Sequence, residues 1–425
     1  MNTEASIYFS IKHHGAQDGD SETEKLRTAE RLGFQWKIYL RSGVGEQTCA
    51  SRLFFDASGR VTPTMEEAQI EMEECFVAVL DKLFAKTGVV AAEIDILIVN
   101  VSTFSPAPSL AAWIVNRYKM KESVKSFNLA GMGCSASVIA VDMAYWLLNS
   151  AANPDAYALL VGTENITLNG SYTGSDKSMM LTNCLFRVGG NAVLLSNKPA
   201  EAKRAKMRLL HTVRTNLAAR QEAYDCIMVK EDDEGRYGIS LLHSIISTAG
   251  DALRTNLGTL GPRVLPLREQ LLYAYTTLAI KFFKVDWKPY IPNFRTAFQH
   301  FCIHPGGRSV ITGIGKSLKL TDYDLEPSRM SLFRFGNTST SGVWYEVAYL
   351  EAKRRLKVGD RLVQIALGSG FKCNTAVWEV LRETHCSEST VWDDCIHRYP
   401  CNTRKNLGDD HCNKWLFPST ASTQI

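Results

Sequence analysis

Four glycine-marked junctions carry the residues of this chain best suited to chemistry. The first is Asn128-Leu129-Ala130-Gly131-Met132-Gly133-Cys134-Ser135-Ala136, where a short strand pattern gives way to an apolar helical one. Gly131 and Gly133 permit a tight backbone path into the helix. A thiol at a helix start feels the positive end of the dipole, which predicts a lowered pKa and a nucleophilic Cys134. The second junction is His300-Phe301-Cys302-Ile303-His304-Pro305-Gly306-Gly307, a strand that ends in a histidine. The third is Phe335-Gly336-Asn337-Thr338-Ser339, at the opening of a helix, and the fourth is the turn Gly368-Ser369-Gly370 between two strands.

Junctions at one edge of a sheet bring distant segments together. An acyl group on Cys134 could then be attacked by a carbon nucleophile formed when a malonyl thioester loses carbon dioxide. Neutral His304 and the Asn337 amide would donate to the thioester oxygen as enolate charge develops. Backbone N–H groups of Cys134 and of the Gly368-Ser369-Gly370 loop would hold the other oxyanion. His300 and Asn216 are secondary candidates. A zinc reading of His300 and His304 lacks the helix and the glutamate that the metalloprotease pattern requires. Cys75, Cys184, Cys226, Cys302 and Cys373 read as structural thiols.

The elements that must position these groups alternate between strand and helix. In the first half, apolar spacing predicts helices over 65–87 and 108–117, strands over 94–101, 124–129, 156–162 and 191–196, and a helix after Cys134. In the second half it predicts helices over 266–283, 307–318 and 338–356 and strands over 298–304, 361–367 and 375–381. Two such halves argue for an α/β protein with buried, mostly parallel sheets. The expected division is a weakly structured 1–35, a first half 36–200, a connection 201–262, a second half 263–383 and a loose polar tail 384–425.

Composition narrows the function classes. The 425 residues are 45% hydrophobic and 22% charged, with 48 basic against 44 acidic residues interspersed, which fits a soluble globular protein and no nucleic-acid partner. Eleven cysteines without a secretory signal imply reduced thiols facing the cytosol. No window is long and apolar enough for a membrane span. Tail residues His385, Cys386, Cys395, His397, Cys401, His411 and Cys412 match no zinc signature, so neither a metal nor a cofactor is expected.

The junction motifs, together with Gly162-Thr163-Glu164-Asn165-Ile166-Thr167, Asn183-Cys184-Leu185-Phe186-Arg187, Glu326-Pro327-Ser328-Arg329-Met330 and Phe371-Lys372-Cys373-Asn374, resemble the plant-type 3-ketoacyl-CoA synthases. These condense acyl chains in very-long-chain fatty acid elongation and share a thiolase-like fold with type III polyketide synthases. The resemblance runs over roughly 36–399. It implies a duplicated five-layer αβαβα architecture, with the family's catalytic cysteine, histidine and asparagine on Cys134, His304 and Asn337. It also implies acyl-CoA and malonyl-CoA as substrates, a homodimer, and other elongase components as partners. The expected place is the cytosolic face of the endoplasmic reticulum, membrane-associated without a span in this chain, or alternatively the cytoplasm.

One segment departs from the family's pattern: Val213-Arg214-Thr215-Asn216-Leu217 carries Asn216 and Leu217 where members have histidine and glycine. That departure and the missing span point to one alternative beside the condensing enzyme, a catalytically weak partner subunit that modulates active synthases. A second is a type III polyketide synthase, because His304-Pro305-Gly306-Gly307 suits either family.

Overall fold

A computed structural model of the chain describes residues 22–50, 63–169, 172–288, 290–383 and 389–402. Ten strands carry the architecture: β1 Ile96–Asn100, β2 Lys125–Leu129, β3 Tyr157–Thr163, β4 Gly190–Ser196, β5 Met207–Asn216, β6 Ile227–Glu231, β7 Tyr237–Leu241, β8 His300–Ile303, β9 Arg361–Gly368 and β10 Lys372–Val380. One sheet runs β2-β1-β3-β4 and a second β5-β10-β9-β8, with β6 and β7 as a separate hairpin. The first sheet is parallel except at β4. In the second, only β8 and β9 are parallel, because β9 and β10 form a hairpin through the Gly368-Ser369-Gly370 turn and β5 pairs antiparallel to β10. The expectation of mostly parallel sheets therefore fails for the second half. Antiparallel partners need only a tight turn, whereas parallel ones need a crossover.

Side-chain alternation along the strands makes five layers. In β1, Ile96 and Ile98 face inward with Ala158 and Leu160 of β3, against a core shared with Cys302, Leu362 and Ala366 of the second sheet. Between the sheets lie two helices, Ala136–Leu148 and Gly342–Ala352, whose Val138, Val141, Val343 and Val347 fill that core. Leu97 and Val99 face the other way, onto helices Met65–Thr87 and Leu110–Tyr118. Phe301, Ile303, Val363 and Ile365 likewise face the outer helices Ile245–Val264 and Arg308–Leu318. Strands buried on both faces explain their near-continuous apolar sequence.

Several expected boundaries move. Residues 22–42, inside or beside the segment expected to be weakly structured, form a helix whose Tyr39 is buried, while 1–21 lie outside the described residues. The connection 201–262 contains β5 and most of the helix Ile245–Val264, so it completes the second sheet and one outer layer. The helix expected over 338–356 is shorter: a 3-10 turn Ser339–Ser341 precedes Gly342–Ala352. The beginning of the tail is packed, not loose. Trp392 and Cys395 are fully buried with Met330, Tyr349 and Tyr399, and the Trp392 indole donates to Tyr345 O at 3.0 Å. Residues 384–388 and 403–425 lie outside the described residues.

Candidate active site

β2 ends at Leu129, and the chain then passes through two left-handed glycines, Gly131 at φ 67° and Gly133 at φ 65°, to reach Cys134. Glycine at position 133 is demanded twice. Its φ is left-handed, and a Cβ there would lie 2.4 Å from the Ser369 amide nitrogen and 2.8 Å from Ser369 Oγ. Gly368 answers from the other side, since a Cβ on it would meet Ser135 Oγ at 2.4 Å and Met132 O at 2.7 Å. The nucleophile turn and the Gly368-Ser369-Gly370 loop after β9 are thus pressed backbone to backbone.

Asn337 follows the helix Asp322–Phe335, which stops at Gly336 with φ 73°. Its backbone is clamped on both sides: Asn337 N–H donates to Leu185 O and Arg187 N–H donates to Asn337 O, each at 2.9 Å. Asn337 Oδ1 accepts from the Ser339 N–H at 2.9 Å, which fixes the amide plane. Among the described residues its Nδ2 has no partner, so the donor end of the amide is available to a ligand. Ser339 itself holds a left-handed φ of 53°. From there its Oγ lies 3.5 Å from Cys134 Sγ and 3.0 Å from Glu164 Oε2.

His304 extends from the C-terminal end of β8, its N–H bonded to Ile365 O of β9 at 2.9 Å. It is buried, and its Nδ1 has no hydrogen-bond partner among the described residues. Burial alone drives its pKa down to about 4, so the imidazole is neutral at physiological pH. The loop behind it packs on the Ser339 turn: a Cβ at Gly342 would lie 2.6 Å from Pro305 Cγ and 3.8 Å from His304 Nδ1. No hydrogen bond joins His304 to Cys134 among the described residues.

The thiol departs from the sequence expectation. Burial pushes the Cys134 pKa up to about 12; the Ser339 hydroxyl opposes this and the Glu164 charge adds to it. The dipole argument fails because the turn is a single 3-10 segment, Gly133–Ser135, ahead of the helix, and desolvation of the sulfur outweighs what that terminus supplies. The resting group is a thiol.

Glu164 was not singled out from the sequence, nor was Ser339 as a functional group. Glu164 is buried at the C-terminal end of β3, where its Oε1 accepts from the Thr103 N–H at 3.0 Å and the Thr103 hydroxyl at 2.7 Å. Burial raises its pKa against these bonds. A carboxylate directly after an apolar strand was the available signal, at Gly162-Thr163-Glu164.

The secondary candidates lie elsewhere. His300 is at the opposite end of β8, bonded through Nε2 to Asp360 Oδ2 at 2.8 Å, so the structure does not bring it to Cys134. Four residue steps along the strand separate it from His304, roughly 13 Å of chain. Asn216 ends β5 in register with Lys372, just past the glycine loop. Its side chain is exposed and accepts the Ala218 N–H at 3.0 Å. Leu217 is buried in the outer core, its N–H bonded to Phe371 O at 2.9 Å. Among the described residues no group of His, Cys, Asp and Glu is arranged to hold a metal ion.

Comparison with known proteins places this geometry in a family. Residues 12–282 match the pattern of the FAE1/Type III polyketide synthase-like proteins. The chain is 51% identical over 392 residues to 3-ketoacyl-CoA synthase 9 of Arabidopsis thaliana, covering 92% of this chain and 75% of the relative. The chain belongs to the 3-ketoacyl-CoA synthase family. Against 3-ketoacyl-CoA synthase 4 of the same plant it is 49% identical over 393 residues, covering 92% of this chain and 74% of that protein. Solved structures bear out the thiolase-like fold. CsyB complexed with CoA-SH superposes with a TM-score of 0.67 at 20% identity, over 89% of this chain and 96% of that one. The 1,3,6,8-tetrahydroxynaphthalene synthase of Streptomyces coelicolor gives 0.64 at 18% identity, over 90% and 96%.

Proposed function

We propose that the protein is an active very-long-chain 3-ketoacyl-CoA synthase that works through an acyl-Cys134 thioester. Cys134 Sγ attacks the carbonyl carbon of a long acyl-CoA, and the CoA thiolate leaves with the proton the cysteine gives up. Malonyl-CoA then enters. Its carboxylate departs as carbon dioxide, and the electron pair of the broken C–C bond moves into an enolate on the thioester. The neutral His304 imidazole and Asn337 Nδ2 donate to that enolate oxygen. The enolate carbon attacks the acyl carbonyl, a new C–C bond forms, Cys134 sulfur is expelled as a thiolate that takes a proton from solvent, and 3-ketoacyl-CoA is released. During both attacks on the acyl group, N–H groups of Cys134 and the Gly368-Ser369-Gly370 loop hold its oxyanion.

The observation that carries this reading is the donor end of Asn337: a buried residue whose amide oxygen is tied to Ser339 and whose NH2 has no partner among the described residues. A neutral His304 fits the same task, because an imidazole N–H, a far weaker acid than imidazolium, donates a hydrogen bond to the enolate without protonating it. The test is single-turnover labelling. Purified protein with radiolabelled acyl-CoA should carry one thioester-linked label on Cys134, chased to 3-ketoacyl-CoA by malonyl-CoA. Label without chase would make the chain a weak partner subunit, and turnover with aromatic primers alone would make it a polyketide synthase.

A homodimer working at the cytosolic face of the endoplasmic reticulum beside other elongase components completes the proposal. β2 supports the dimer: it is an edge strand whose Lys125, Ser126 and Asn128 are exposed beside the nucleophile. Among the described residues no helix is long and apolar enough to cross a membrane. Long acyl-CoA is poorly soluble, so it must be met at a lipid surface. Carbonate washing of microsomes should release the chain.

A further inference from the structure

We propose that the helix Leu267–Phe283 lies flat on an anionic phospholipid surface and docks the enzyme to it. Its outward face is apolar. Leu267, Leu271, Tyr275, Leu278 and Phe282 recur at steps of four, four, three and four, which puts them on one stripe. All five are largely exposed, from 51% at Leu278 to 69% at Leu267. Only Glu269 and Ala279 of the helix are buried, so the body of the protein holds it along one narrow line. Phe283, the last residue of the helix, is 78% exposed, and Trp287, 48% exposed, extends the apolar surface past the helix end, folded back to 6.0 Å from the Tyr275 ring.

Charge chooses the occupant. Arg268 and Lys281 flank the stripe on either side, and Lys284 and Lys288 follow; all four are exposed. Of the acidic residues nearby, Glu269 turns inward to accept from Tyr290 Oη at 2.7 Å and the Asn293 N–H at 2.8 Å, leaving Asp286 as the exposed one. An apolar stripe bordered by cations, with tryptophan and tyrosine at its edge, is the composition of a helix that lies in the headgroup layer. Lysine and arginine stems cover apolar surface there while their charges meet lipid phosphates. A second protein copy would bring the same cations against one another. At 17 residues the helix is about 25 Å long and is suited to lie on a bilayer, not to cross it.

The proposal rests on the synthase reading only for what the docking delivers, an acyl-CoA dissolved in lipid; lipid binding itself needs no substrate. Co-sedimentation of the purified chain with phosphatidylcholine vesicles, with and without phosphatidylserine, tests it. The wild type should partition about tenfold or more better onto the anionic vesicles. Leu271→Asp with Leu278→Asp and Phe282→Asp should lose binding to both by at least about tenfold. Lys281→Glu with Lys284→Glu should lose only the preference for anionic lipid. Condensation on a short, soluble acyl-CoA should be unchanged in both variants, which separates a failure of docking from a failure of the active site. Wild type that ignores vesicles, or aspartate variants that bind like wild type, would overturn the proposal. So would aspartates that dissociate a dimer while vesicle binding persists.

Discussion

Two turns of this molecule are built alike and equipped differently. In the first half a glycine-rich approach enters the 3-10 turn Gly133–Ser135 and then the helix Ala136–Leu148. In the second half Gly336 leads into the 3-10 turn Ser339–Ser341 and then the helix Gly342–Ala352. Both helices lie in the layer between the sheets, tied by the Trp344 indole donating to Ser137 Oγ at 2.7 Å. The central residue of the first turn is a thiol; the second turn opens with a hydroxyl and is preceded by a fixed amide. Two helix starts are thus aimed at one spot and equipped differently, and under the proposed mechanism one turn forms the bond while the other stabilises charge.

Removing the thiol breaks the comparison outright. Cys134→Ala should abolish acyl labelling and lower condensation on the order of 10⁴-fold or more, since the covalent route is lost. Cys134→Ser should fare little better, because a hydroxyl is far less ionised than a thiol. Measured label on another cysteine in Cys134→Ala would mean that the first turn is not the nucleophile.

Changes on the other side should be smaller and should fall on a different step. His304→Ala and Asn337→Ala should each lose roughly 10²- to 10³-fold in malonyl decarboxylation while keeping measurable acylation. His304 also sets a pH expectation. With its pKa driven down to about 4, it stays neutral from pH 7 down to about 5, so condensation should show no inflection near 6.5 from this residue. Its protonation, and any change that brings, belongs near pH 4. An inflection near 6.5 that vanishes in His304→Ala would show that the imidazole titrates normally and is not held as a neutral donor.

Ser339 joins the two turns, and its removal sharpens the contrast. Its hydroxyl lowers a Cys134 pKa that burial has already pushed up to about 12. Ser339→Ala should therefore raise that pKa further and slow acylation at fixed pH, by about two- to tenfold for one lost hydrogen bond. Both proteins operate below the thiol pKa, so acylation should rise with pH in each, with the variant's curve displaced to higher pH. Identical curves would remove Ser339 from the acylation step.

These environments also show what could be read in the chain. The helix 65–87 was legible to the residue, because Thr64 and Glu67 form a capping box and Gly88 ends it at φ 69°. Cys134, His304, Asn337 and the glycine loop were legible as junctions, since glycine marks where backbones approach closely. The helix Asp322–Phe335 was not, because Pro327 reads as a break although it sits in the first two turns. β5 escaped because its burial is irregular, following a strand with one bulged register against β10. Desolvation of the half-buried thiol, the Glu164–Ser339 contact and the packing of Trp392 depend on segments far apart in sequence, and no local pattern announces them.

Asn216 and Leu217 are the departure from the family's pattern, and the structure separates their effects. Asn216 is exposed, and its side chain bonds only its own turn, through Ala218 N–H. Leu217 sits in the outer core with Val213, Phe371 and Tyr39. Restoring both family residues together would confuse two causes, because Leu217→Gly empties a packed site and frees the backbone, costing about 3 kcal/mol or more in stability. Asn216→His alone is the cleaner change. An imidazole there stands beside Lys372, whose ammonium donates to Ser369 O at 2.7 Å and so braces the Gly368-Ser369-Gly370 loop. A missing histidine that tuned this loop would show as a gain in condensation of up to about tenfold, or 1.4 kcal/mol in barrier. With the side chain in solvent and no bond to the loop itself, the expected change is smaller, about threefold or less. Steady-state condensation at matched folded fraction decides between them, and it places the effect of Asn216 either on the glycine loop pressed against the first turn or on the rim of its sheet.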